Sequence, residues 1–198
     1  MKPWVDLYRA HRDARKLGSG KWDKEFRTRL IKLAEAGYCE QNIQGRFTYG
    51  QNPQKAGLVE WSIRPGPLAL EGVPHLASAK LSLMALTDRS GHLHMFTVMV
   101  EGEREDGSRW TLAVHLPDDQ ETGKNPKGDR QGRGAGGHAA LHCHVGPDLE
   151  TAPEVRVPLP AISAAEALDW VLSQIIATDD FEPAPWAEVQ AAIKKASA

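Results

Sequence analysis

The sequence predicts an α+β fold: an antiparallel sheet of four to six strands, with a C-terminal helix packed on it and an N-terminal helical hairpin. Three observations predict it. Residues 3–37 carry apolar side chains at helical spacing. From Arg46 the period shortens to that of strands separated by turn residues. Ser163-Ala-Ala-Glu166 is a capping box that opens an apolar helical stripe.

The elements follow in order. Residues 3–16 place Trp4, Leu7, Tyr8 and His11 on one helical face, with a basic face behind. Gly18-Ser19-Gly20 interrupts the pattern. A second helix is expected over 21–37, striped by Trp22, Phe26, Leu30, Leu33 and Ala34, with Gly37 as its C′ residue. Residues 46–49 and 58–63 read as short strands around the turn-rich GQNPQKAG, and Pro65 and Pro67 then open a loop. The centre is a meander: 80–87, a turn at Asp88–Gly91, 92–103, a two-residue hairpin turn at Asp106-Gly107, and 109–116. Residues 117–137 are nearly devoid of apolar side chains and are expected to form a flexible loop, either functional or simply disordered. A further strand spans 139–145, ended by Gly146-Pro147, and the Pro-rich 151–160 segment is extended. Behind the Ser163 cap, Leu168, Val171, Leu172, Ile175 and Ile176 form the helical stripe that should lie across the sheet. Pro185 opens a last helix with Trp186, Val189 and Ile193 facing inward. The organisation expected is a basic helical region, 1–45, followed by an α+β core, 46–198.

Composition narrows the class. At 198 residues the chain can bury a core of its own, and its 41% hydrophobic and 25% charged residues are ordinary for a globular protein. No apolar run approaches the roughly 20 residues that span a bilayer, and the N-terminus lacks a signal-type apolar region. Cys39 and Cys143 form no CxxC pair and read as reduced thiols, so a cytoplasmic location is expected. Charge is unevenly spread. Residues 1–32 hold ten Lys/Arg against four Asp/Glu, a net +6, while the rest holds 14 against 22, a net −8. A basic head on an acidic body points to a polyanion-binding arm, to self-association as a homodimer, or to a solvated helix face.

The chemistry-bearing stretch is Gly136 to Pro147, GGHAALHCHVGP. In a strand, alternation turns His142 and His144 to one side, while Leu141, Cys143 and Val145 turn into the core. On 109–116, Trp110, Leu112, Val114 and Leu116 form the apolar face, leaving His115 on the other. If the two strands pair, His115 joins His142 and His144 on a solvent-facing surface. Imidazole titrates near neutrality, so one ring can serve as general base and another as general acid. Metal binding by neutral imidazoles and simple packing are the competing readings; the spacing matches no zinc signature, and no metal or cofactor is expected. His92 and His94, at a hairpin tip, are expected to be solvated. Upstream of His138, Lys124, Lys127, Arg130 and Arg133 are interleaved with glycines, a composition that suits a phosphate backbone. The GxGxxG at Gly132, Gly134 and Gly137 precedes a strand rather than a helix, which excludes a dinucleotide fold.

Residues 137–175 resemble the TumE-type toxins of bacterial toxin–antitoxin modules. The matching residues are His142-x-His144-x-Gly146, the acidic positions Asp148 and Glu150, a Pro-containing extended segment and the capped helix from Ala165. The resemblance implies a compact α+β domain acting on RNA, with His142 and His144 as site residues. It covers about a fifth of the chain.

The expectation is therefore a metal-independent, RNA-directed, toxin-like ribonuclease. His142 and His144 would move protons with help from His115, and Lys124, Lys127, Arg130 and Arg133 would hold phosphates. Its partners would be RNA and an acidic protein or antitoxin, with no membrane. The alternative is a non-enzymatic module of plasmid, phage or defence origin that binds protein or nucleic acid through residues 1–32.

Overall fold

The computed structural model describes residues 22–116, 141–146, 157–159 and 163–176. The helix expected over 3–16, the loop 117–137 and the helix after Pro185 lie outside these residues. Helix α1 spans Trp22–Glu35 and turns Phe26, Leu30, Leu33 and Ala34 into the core. Its end is a Schellman motif: Tyr38 N–H donates to Leu33 O, Gly37 N–H donates to Ala34 O, and Gly37 has φ 82°. A 3₁₀ turn at Ile43–Gly45 buries Ile43 and leads into the sheet.

Among the described residues eight strands follow: β1 Phe47–Gln51, β2 Val59–Ile63, β3 Leu68–Leu70, β4 Leu76–Thr87, β5 Leu93–Arg104, β6 Arg109–Leu116, β7 His142–Gly146 and β8 Val157–Pro158. The order is β1-β2-β4-β5-β6-β7-β8, with β3 beside β4, and every pairing is antiparallel. The α+β architecture is the one expected, with more strands. The additions, β3 and β8, are three and two residues long beside prolines, too short to show an alternation.

One face of the sheet is apolar. Leu81, Leu83 and Ala85 on β4, Phe96, Val98 and Val100 on β5, and Leu112, Val114 and Leu116 on β6 are all at least 96% buried. Helix α2, Ala164–Ser173, packs across β5 and β6 through Leu168, Val171 and Leu172. Each such side chain contributes about 1.5–3 kcal/mol by leaving water. The capping box forms in full: the Ser163 hydroxyl accepts from Glu166 N–H, and Glu166 Oε2 accepts from Ser163 N–H. The two helices are tied by Arg29 and Asp169, with Arg29 Nε 2.7 Å from both carboxylate oxygens.

Two expectations need correction here. The Asp106-Gly107 turn is a three-residue loop. Gly107 N–H donates to Arg104 O, Arg104 N–H donates to Ser108 O, and only Gly107 has positive φ, at 79°. That is a type I turn with a bulged glycine, and the Asp88–Gly91 turn repeats it. Val145 lies on the core side by parity but is 47% exposed, because it stands near the end of β7, clear of the strands α2 covers. Among the described residues, no helix is long and apolar enough to cross a membrane.

Candidate acid–base site

The pairing of β6 with β7 builds the site. Its register sets His115 opposite His142 and Ala113 opposite His144. Because Val114 and Cys143 fill the helix-facing side, alternation turns all three imidazoles to the opposite face. The rings meet there. His142 and His144 have centroids 4.6 Å apart, His115 stands edge-on to His142 at 5.5 Å, and His115 and His144 are 6.4 Å apart. The third neighbour comes from β5: Thr97 is paired with His115, and its hydroxyl is hydrogen-bonded to His115 Nδ1 at 2.8 Å. That bond fixes the orientation of the His115 ring through Nδ1.

The cluster expected from the sequence therefore forms, but its exposure differs. His142 is 2% exposed and His144 is 7% exposed, so the pair does not face solvent. Only His115 is half-buried. Rings in contact at 4.6 Å leave no space for a phosphate between them. The arrangement suits one reachable ring backed by a contiguous pair better than two rings flanking a substrate.

The remaining sequence candidates separate. Lys124, Lys127, Arg130 and Arg133 lie outside the described residues, as do Asp148 and Glu150. The segment that carries these cations is joined at its ends to Leu116 and Leu141, the neighbours of His115 and His142 in the chain. His94 is buried rather than solvated. Leu86 pairs with Met95 and Thr87 with Leu93, so His94 is the extra residue of a bulge, and its Nε2 lies 3.6 Å from Asp88. Asp88 accepts from the Ser90 hydroxyl and from the backbone N–H groups of Ser90 and His92, contacts that hold its carboxyl below the ordinary range. Cys143 is buried, which pushes its thiol up to about 11 and away from nucleophilic use. On α1, Arg27 donates to Gln44 O and lies 5.4 Å from the Phe47 ring centre. With Arg29 held by Asp169, half of the helix's four cations are committed to structure.

Thr97 is the site residue that the sequence reading misses. It becomes visible once the three-residue turn is counted, since pairing Arg104 with Ser108 carries Thr97 opposite His115. Among the described residues, no group of three or more His, Cys, Asp or Glu side chains is arranged to hold a metal ion. No family model matches this chain, and no curated protein or solved structure matches it either.

Proposed function

We propose that the chain is an RNA-directed acid–base enzyme, a toxin-like ribonuclease in which His115 is the ring that meets the substrate. The observation that carries this reading is the Thr97–His115 hydrogen bond beside two further imidazoles. An oriented, partly exposed base with a proton store behind it is what cleavage at a ribose 2′-hydroxyl needs. The base takes the hydroxyl proton as the oxygen attacks phosphorus, and an acid returns a proton to the leaving 5′-oxygen. His115 acts at the phosphodiester, and the His142–His144 pair takes up and hands back the proton. Lys124, Lys127, Arg130 and Arg133 supply charge for the phosphate, on the strength of sequence alone. The resemblance of residues 137–175 to TumE-type toxins supports RNA as the substrate and an antitoxin as partner.

The test is cleavage of a labelled oligoribonucleotide by the full chain with a chelator present. His115→Ala should lower the rate by roughly 10²-fold or more while the circular dichroism spectrum and melting temperature hold. Equal cleavage by both proteins, or none by the wild type, overturns the reading.

The burial of His142 and His144 favours a second reading, a non-enzymatic module whose histidines are structural. Such a module keeps its binding in His115→Ala and loses it when Arg9, Arg12 and Arg15 are neutralised.

A further inference from the structure

A second site lies at the far end of the sheet, on the helix side. A cavity of about 400 Å³ opens between the start of β4, the end of β5, the start of β6 and the carboxyl end of α2. Trp110, on its wall, is five residues along β6 from His115, about 16 Å at the rise of a strand. The cavity is therefore separate from the histidine cluster. Its volume is within the range that holds a small ligand.

Its most telling feature is a backbone outlier. Leu76 N–H donates to Val73 O, and His75 has φ 64°, the one non-glycine residue with positive φ among the described residues. Pro74 and His75 thus occupy the two central positions of a type II turn, whose second centre takes glycine or asparagine without strain. Histidine there is strained, and its side chain lines the cavity. A turn that only had to reverse the chain would do better with glycine. Strain at a residue on its wall marks the space that the imidazole faces as a candidate ligand site.

The other walls say what that is. Leu76 is paired with Arg104, so the register brings Arg104 to the cavity that His75 lines. Neither Arg104 nor His75 makes a side-chain hydrogen bond or ion pair among the described residues. Trp110 offers a half-buried indole. The helix layer contributes Gln174 and the end of α2, where backbone carbonyls carry the negative pole of the helix. The cavity is therefore polarised, with the Arg104 guanidinium and the His75 imidazole on the sheet side, acceptors on the helix side, and an aromatic surface between. A complementary ligand has an anion at one end, a hydrogen-bond donor at the other and a flat ring between them.

We infer that this cavity binds a nucleotide: the base stacks on Trp110, its exocyclic amine meets the carboxyl end of α2, and Arg104 and His75 take the phosphate. The nucleotide is either free or part of a single-stranded RNA, since base stacking and phosphate pairing serve both. This inference stands apart from cleavage and holds whether or not the histidine cluster is catalytic.

Calorimetric titration of the full chain tests it, using the four ribonucleoside 5′-monophosphates, ribose 5-phosphate and a six-nucleotide single-stranded RNA. Arg104 and His75 are exposed, so Arg104→Gln and His75→Gly should keep the fold. Arg104→Gln is expected to bind about ten-fold more weakly. His75→Gly should also bind more weakly yet melt no lower than the wild type, because glycine relieves the turn. Ribose 5-phosphate should bind at least about ten-fold more weakly than the best mononucleotide, having no ring to stack. Binding of mononucleotides assigns the cavity to a free nucleotide, and binding of the oligonucleotide alone assigns it to RNA; either result carries the inference. It is overturned by absence of binding in both, by affinities indifferent to the two substitutions, by ribose 5-phosphate binding as well as a mononucleotide, or by a lower melting temperature in His75→Gly.

Discussion

Removing one partner of the Arg29–Asp169 pair separates a structural role for the basic helix from a polyanion-binding one. Arg29 Nε lies 2.7 Å from both oxygens of Asp169, and Nη2 lies 2.7 Å from Oδ2. The side chains are 23% and 15% exposed. Exposed ion pairs contribute about 0–1 kcal/mol, and breaking a fully buried pair costs about 3–5 kcal/mol. With water still reaching both groups, Asp169→Ala should cost about 2–3 kcal/mol in urea unfolding, between those limits. Burial pushes the Asp169 carboxyl above its ordinary value even with Arg29 beside it, so desolvation offsets much of the attraction. A doubly apolar variant, Arg29→Met with Asp169→Leu, should therefore fall within about 1 kcal/mol of the wild type. The slope of unfolding free energy against urea should stay constant, showing that the same surface is exposed. A loss under about 0.5 kcal/mol for Asp169→Ala would refute the reasoning, as would a double variant as unstable as the two single losses together. Arg29 would then be a surface cation, free for an anionic partner.

Two further perturbations read the sheet. A Cβ at Gly102 would lie 2.8 Å from both Leu76 Cδ1 and the Ser78 carbonyl oxygen, at the bulge between Leu76 and Ser78. Since one of those atoms is backbone, Gly102→Ala should destabilise by about 1–3 kcal/mol and be measured as a lower urea midpoint; an unchanged midpoint would show that the bulge yields freely. Both cysteines are buried, with thiols pushed up to about 11 by burial first and, at Cys39, by Glu40 and Glu71 as well. At pH 8 neither should react with a thiol reagent until the chain is unfolded, and release of one thiol from the native chain within the first minute would contradict that packing.

Local signals were legible because each depends on a few neighbouring residues. Ser163 and Glu166 name the start of α2, Gly37 names the end of α1, and the alternation in Arg109–Leu116 gives β6 its limits. The histidine face was readable for the same reason: parity along each strand is local, and the three rings needed only β6 to neighbour β7. Register was not local. A two-residue loop at Asp106-Gly107 would set Val98 opposite His115, and the observed three-residue loop sets Thr97 there. One residue of slip exchanges a core valine for the hydroxyl that orients the ring. Burial was less legible still. Alternation says which side a residue takes and not how much lies above it, so His142 and His144 were placed on the correct face with the wrong exposure. His94 failed for a related reason, since the bulge that carries it inward is invisible in a uniform two-residue period.

Strand β7 raises a question of energy that bears on the role of its histidines. Cys143 is 2% exposed on one face, while His142 and His144 are 2% and 7% exposed on the other, so the strand is buried on both sides over these three residues. Strands in that position are ordinarily near-continuous apolar runs, because imidazole nitrogens must find hydrogen bonds to offset leaving water. A chain selected only for stability would carry leucine or valine here. If the rings are kept for proton transfer, the double substitution His142→Leu and His144→Val should leave unfolding free energy within about 1 kcal/mol of the wild type and abolish RNA cleavage. If instead their hydrogen bonds hold the fold, the same variant strands those partners, and the loss should exceed about 2 kcal/mol. Urea unfolding and the cleavage assay on one variant thus separate the two roles. A stable double variant that still cleaves RNA would remove His142 and His144 from the mechanism and leave His115 with Thr97 as the whole of the acid–base machinery.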